Sequence, residues 1–191
     1  MRFRRSIRHA AATFAAALCV SVGAGSAQSG EVRFGLYQHD TGIVGTHKEA
    51  GIDYVGEVLS EPLDFLSLIG SPRFMFGGAL NSAGKTDQVY AGLTKEWDFV
   101  HSVFARQDAF FLEGTIGGDW NDGKRDVLGT PAQASWKSHG SHYLFRIGTD
   151  FGYRFNRKWT MAASFFHISN AGLADRNEGM NEIGLRVGME F

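Results

Sequence analysis

The segment Phe166-His167-Ile168-Ser169-Asn170-Ala171-Gly172 ends an apolar run with an imidazole and a hydroxyl two positions apart. A neutral imidazole can take the proton of a serine hydroxyl and later return it to a leaving alcohol, so the pair suits nucleophilic acyl transfer. On a β-strand, the i, i+2 spacing puts both side chains on one face with their Cα atoms about 6–7 Å apart. The backbone N–H groups of Asn170 and Gly172 are candidates for an oxyanion hole, because small residues let a substrate carbonyl approach the chain. The competing reading is a polar pair at the level of lipid headgroups, where such side chains are tolerated. The element that carries the pair decides between the two.

That element is one of a series. In Tyr143–Phe155 an apolar face of Tyr143, Phe145, Ile147, Phe151, Tyr153 and Phe155 alternates with Leu144, Arg146, Gly148, Asp150, Gly152 and Arg154. The C-terminal segment repeats the design, with Ile183, Leu185, Val187, Met189 and Phe191 set against Glu182, Gly184, Arg186, Gly188 and Glu190. Period-two alternation with charge and glycine on one side suits a membrane barrel with apolar residues outside and polar residues inside. A terminal Phe after alternating apolar positions also resembles the C-terminal signature of bacterial outer-membrane proteins. Eight strands are expected, over about 31–39, 51–60, 73–81, 87–97, 109–118, 142–155, 158–168 and 181–191. The fold class is therefore all-β, an eight-stranded antiparallel transmembrane β-barrel. Residues 62–70, PLDFLSLIG, are expected to hold a short interfacial helix or a plain turn.

Residues 1–27 have the layout of a secretory signal peptide, and residues 28–191 form the barrel domain. Arg2, Arg4, Arg5 and Arg8 precede an apolar run that ends in Gly25-Ser26-Ala27, a small-residue cleavage site. Removing this segment takes away four Arg and no acid, which moves the formal net charge from −1 to −5. That acidity argues against nucleic-acid binding. The only cysteine, Cys19, lies within the apolar run, so the mature chain has no thiol for disulfides, thiol catalysis or Cys-metal sites.

With both termini in the periplasm, strand seven runs outward. Its apolar parity, Trp159, Met161, Ala163 and Phe165, continues into His167 and Ser169. Both then face lipid at the outer interface. A polar side chain buried in lipid without a partner costs several kcal/mol, so the placement points to a lipid-borne substrate.

At these residues the chain resembles the PagL-type lipid A 3-O-deacylase family. The resemblance rests on His167-Ile-Ser-Asn-Ala-Gly172, Asn177-Glu-Gly-Met-Asn181 and Gly184-Leu-Arg-Val-Gly-Met-Glu-Phe191, and upstream on residues 70–94 and 112–118. It implies an outer-membrane barrel acting on lipopolysaccharide, with His167 as base, Ser169 as nucleophile, and Asn170 and Gly172 at the oxyanion hole. It implies no metal or organic cofactor. The implied partners are lipid A and the outer membrane, with a homodimer left open.

The family's acid falls fourteen residues after the His, where this chain has Asn181, followed by Glu182. By parity Asn181 shares the outward face and Glu182 faces the lumen. An amide oxygen can orient a neutral imidazole. Three readings follow: Asn181 orients His167, a bulge brings Glu182 round, or the triad is degraded. A non-enzymatic barrel and a lipid A acyltransferase are the rival functions. Asp175 and Glu178 are loop acids within potential reach of the His. His139 and His142 are a weak metal pair without a carboxylate. His39, His47 and His101 read as loop or strand-end residues. Trp97, Trp136 and Trp159 read as interfacial anchors. Arg146, Asp150, Arg154, Glu113 and Arg186 read as a lumen network that fills the barrel.

Overall fold

The structure is a computed structural model, and it describes residues 30–191; the signal peptide expected over residues 1–27 lies outside the described residues. The strands are β1 (Glu31–Gln38), β2 (Ile52–Pro62), β3 (Arg73–Asn81), β4 (Gln88–His101), β5 (Ala109–Asn121), β6 (Tyr143–Arg154), β7 (Trp159–Ser169) and β8 (Met180–Glu190). Each pairs antiparallel with its neighbours, and β8 pairs with β1 to close the barrel. Closure removes every sheet edge, so each strand's backbone groups find partners within the wall.

Side-chain parity is as the alternation requires. Phe34, Leu36, Tyr54, Ile116, Phe145, Ile147 and Leu185 are exposed on the outer wall. The lumen holds the charges. Arg33 makes a bidentate pair with Glu113 at 2.8 and 2.7 Å. Arg186 reaches Glu57 at 2.9 Å and Asp150 at 2.9 Å. Arg146 lies over Tyr90 and Phe166, 3.9 and 4.1 Å from the ring centroids. Inward glycines make room for these rings: a Cβ at Gly184 would lie 1.9 Å from Tyr37, and one at Gly148 would lie 2.1 Å from Phe166. The interior is thus filled by side chains, as expected for eight strands. Arg154 joins Glu96, Asp98 and Glu190 at one end of this network.

The two rims differ. Loops L1 (39–51), L2 (82–87), L3 (122–142) and L4 (170–179) crowd one rim. Turns 63–72, 102–108 and 155–158 close the other, which also carries both ends of the described chain. The expected short helix is present as a 3₁₀ helix, Asp64–Ile69, with Phe65, Leu68 and Ile69 exposed. The 102–108 turn, unreadable from periodicity, is organised by Asp108. Its carboxylate accepts the N–H groups of Val103, Phe104 and Ala105 at 2.7, 2.7 and 2.8 Å. Trp97 and Trp159 face outward, whereas Trp136 lies in L3 with the Lys85 ammonium 4.5 Å above its ring.

Candidate active site

His167 and Ser169 end β7 at the long-loop rim. On one side they pair with Ile147 and Phe145 of β6; on the other His167 pairs with Asn181 of β8. Both side chains keep the outward parity and are half-buried, while Phe166, Ile168 and Asn170 between and beyond them are buried inward.

The partner of the imidazole is Asn181. His167 Nδ1 lies 2.8 Å from Asn181 Oδ1. The amide's orientation is fixed from its other end, because Asn181 Nδ2 donates to the Val44 carbonyl at 2.6 Å. With the amide nitrogen so committed, Oδ1 can only accept, and Nδ1 of His167 must carry the proton. Nε2 is then the nitrogen with the free lone pair, the state a general base needs. Glu182 is elsewhere. The β7–β8 register runs unbroken from Trp159↔Met189 to Ile168↔Met180, with no bulge. Glu182 therefore points into the lumen, where it takes a hydrogen bond from Gln88 and lies 3.7 Å from Arg146.

Two contacts hold the pair in place. Gly179 packs on the imidazole: a Cβ there would sit 2.8 Å from His167 Cε1 and 3.0 Å from the Ile168 carbonyl. Thr41 of L1 donates its N–H to the Asn181 carbonyl at 2.8 Å, so L1 continues β1 beside β8.

The expected oxyanion donors are differently employed. The Asn170 N–H donates to Asn177 Oδ1 at 3.0 Å, and the Gly172 N–H donates to Asn170 Oδ1 at 2.8 Å. The second bond is the turn that an Asn side chain makes with its own backbone two residues on. Asn170 Nδ2 then donates to the His139 and Arg176 carbonyls at 2.7 and 2.5 Å. Asn170 and Gly172 thus build L4, in place of the expected oxyanion hole. Between them Ala171, at φ +55°, keeps an amide with no hydrogen-bond partner among the described residues.

The remaining candidates separate cleanly. Glu178 pairs with Lys48 and accepts the Ser138 N–H at 2.7 Å, which ties L4 to L1 and L3. Although burial opposes it, these hydrogen bonds hold its carboxyl below the ordinary range. His139 and His142 bond different carbonyls, Glu178 at 3.1 Å and Asn121 at 2.9 Å, and do not converge. The only grouping of His and carboxylates among the described residues with a spacing that could hold a metal is His39, Asp53 and Glu182, fully buried in the upper lumen. There His39 already bridges Asp53 at 2.7 Å and Glu49 at 3.2 Å. Burial alone would lower the pKa of His39, but the hydrogen bonds to Asp53 and Glu49 and the nearby carboxylates push it up to about 10. The cluster is thus an ion-paired imidazolium beneath the loops.

The sequence profile of the lipid A 3-O-deacylase (PagL) family matches residues 71–190. The chain belongs to that family. Its fold matches the crystal structure of the outer membrane enzyme PagL, with a TM-score of 0.61 at 16% identity over 84% of this chain and 99% of that one. The barrel is also similar to Neisserial surface protein A, at TM-score 0.53, 11% identity and coverage of 88% and 100%. A de novo designed transmembrane barrel matches at 0.52, 8% identity and coverage of 87% and 98%. A search of curated proteins gave no match. A barrel shared with a designed protein does not by itself assign an activity; in this chain the partner of the His is the Asn181 amide, at the position where an acid was expected.

Proposed function

We propose that the protein is a serine esterase of the bacterial outer membrane that removes the ester-linked 3-O acyl chain of lipid A. The observation that carries this reading is the His167–Asn181 contact on the same lipid-facing edge as the Ser169 hydroxyl, in a chain of the lipid A 3-O-deacylase family. Export through cleavage of residues 1–27 and insertion with the long-loop rim outside belong to the same proposal.

The chemistry follows from the atoms. Ser169 Oγ attacks the ester carbonyl carbon while its proton passes to His167 Nε2. The tetrahedral intermediate collapses, the carbon–oxygen bond to the sugar breaks, and Nε2 returns the proton to the leaving 3-hydroxyl. Water then loses a proton to Nε2 and attacks the acyl-enzyme. The fatty acid departs as the proton returns to Ser169. Through both steps Nδ1–H stays on Asn181 Oδ1, and this bond strengthens as the imidazole becomes cationic. The free Ala171 amide, next to Ser169 and Asn170, is the backbone donor in this reading that can meet the oxyanion. Phe145 and Ile147 on one side and Ile183 and Leu185 on the other offer an apolar wall for the acyl chain below the hydroxyl. The filled lumen speaks against an acyltransferase that would shelter the chain inside.

The test is mass spectrometry of lipid A from cells producing wild-type or Ser169→Ala protein. Loss of one 3-O acyl chain with the wild type only is expected. Unchanged lipid A in both, with the barrel inserted and folded, would refute the reading. Failure of a fluorophosphonate to label Ser169 in folded wild-type protein would favour a non-enzymatic barrel.

A further inference from the structure

Lys137 belongs to L3, outside every strand, yet it is only 2% exposed. A buried ammonium is retained only where its charge and donors are met. Its Nζ donates to the Gly179 carbonyl at 3.1 Å and pairs with Asp40 Oδ1 at 3.2 Å. Its backbone N–H donates to Glu49 Oε1 at 2.9 Å.

The two partners of the ammonium bear on the two members of the His167–Asn181 pair, Gly179 on the imidazole and Asp40, through L1, on the amide. Gly179 is the surface on which the imidazole lies, 2.8 Å from Cε1 and 3.3 Å from Nε2 for any Cβ added there. Asp40 is the hub of L1. It adopts φ +45°, and its Oδ2 accepts the N–H groups of Lys48 and Glu49 at 2.7 and 3.1 Å. The loop so folded carries Val44, whose carbonyl orients the Asn181 amide. The ammonium reaches under this tip: a Cβ at Gly45, beside Val44, would lie 4.0 Å from Nζ. One charged side chain therefore links the backing of the ring to the loop that selects its tautomer.

We infer that Lys137 is a positioning residue for the His167 base, acting through the Gly179 carbonyl and the Asp40 hub of L1. Removing its charge frees L1 to lift from Asn181. The amide can then turn, and the imidazole loses both its stop and its proton-accepting partner. A misplacement of about 1 Å originating away from the reacting atoms can cost on the order of 100-fold in rate. Neutral histidine left to itself favours the Nε2–H tautomer, the wrong one for a base at Nε2.

The test compares Lys137→Met with Lys137→Arg in the full-length barrel in detergent micelles. Heat-modifiable electrophoresis gives the folded fraction. Ring nitrogen NMR of histidine-labelled protein reports the His167 tautomer without any turnover. The rate arm rests on the esterase reading and uses a short soluble ester. In wild type His167 is expected to carry its proton on Nδ1. In Lys137→Met the Nε2–H form should gain population, and kcat per folded barrel should fall at least tenfold with KM little changed. Lys137→Arg should restore most of both. In a His167→Ala background Lys137→Met should bring no further loss. Asp40→Asn, which removes the same ion pair, serves if Lys137→Met does not fold. An Nδ1–H tautomer kept in Lys137→Met with a wild-type rate, or a loss fully additive with His167→Ala, would overturn the inference. An unreactive Ser169 in wild type would sink the esterase reading while the tautomer measurement still decides the role of Lys137.

Discussion

Asn181→Ala is the perturbation that bears most directly on how this site works. The substitution deletes the Oδ1 acceptor 2.8 Å from His167 Nδ1 and the Nδ2 donor that holds the Val44 carbonyl. In the ground state the lost bond is neutral, worth about 1 kcal/mol net. In the transition state of the proposed ester hydrolysis the imidazole is cationic, and a hydrogen bond to a charged group is worth about 1.5–3 kcal/mol. Only the difference, about 0.5–2 kcal/mol, raises the barrier, which is about 2- to 30-fold in kcat at 1.36 kcal/mol per decade. Because the bond strengthens only as charge develops, the loss should appear in kcat and little in KM. The assay is hydrolysis of a short soluble ester by folded barrel in micelles, repeated with His167→Ala and with the double variant. If Asn181 works only through His167, the double variant should be no slower than His167→Ala alone. A wild-type kcat in Asn181→Ala, or costs that simply add in the double variant, would refute the assignment.

Three further outcomes are expected. Glu182→Gln should leave ester hydrolysis close to wild type, since Glu182 faces the lumen beside Gln88 and Arg146; a loss as large as that of Asn181→Ala would mean that Glu182 reaches the site. Gly179→Ala should insert a methyl 2.8 Å from His167 Cε1, which would displace the ring and lower kcat with the barrel still folded on heat-modifiable electrophoresis; an unchanged rate would show that the ring has room to spare. The raised pKa of His39, about 10 against the ordinary 6.5, means that its stabilisation is complete below about pH 6.5 and is lost as pH rises through about 10. The urea midpoint should therefore fall across that alkaline range in wild type. His39→Gln, the control, should show much less of this fall, and equal slopes in the two proteins would contradict an imidazolium in the lumen.

Much of the scaffold was legible in the chain because a membrane barrel writes its inside and outside in a period of two. The alternation in Tyr143–Phe155 and Ile183–Phe191 returned β6 and β8 within a residue or so. The same parity carried His167 and Ser169 to the lipid side, and Asn181 across the hairpin from His167. The limits of β4 and the turn after it were less legible, because a side chain, Asp108, sets that turn with no hydrophobic period around it.

The sequence by itself determined which residues share a face, since that depends only on position within a strand. It therefore put Asn181 on the face of His167 and Glu182 on the other, while a bulge that would bring Glu182 round was excluded only by the unbroken β7–β8 register. Only the tertiary structure decided which way the Asn181 amide turns, because the Val44 carbonyl that fixes it comes from a loop more than a hundred residues away in sequence and is a backbone group with no side-chain signature. Tertiary contacts likewise decided that the amides of Asn170 and Gly172 are spent within L4, and that Lys137 ties L1 to Gly179. Strand periodicity fixes direction, but hydrogen-bond partners between loops depend on where barrel closure brings them, and no local pattern in the chain encodes that.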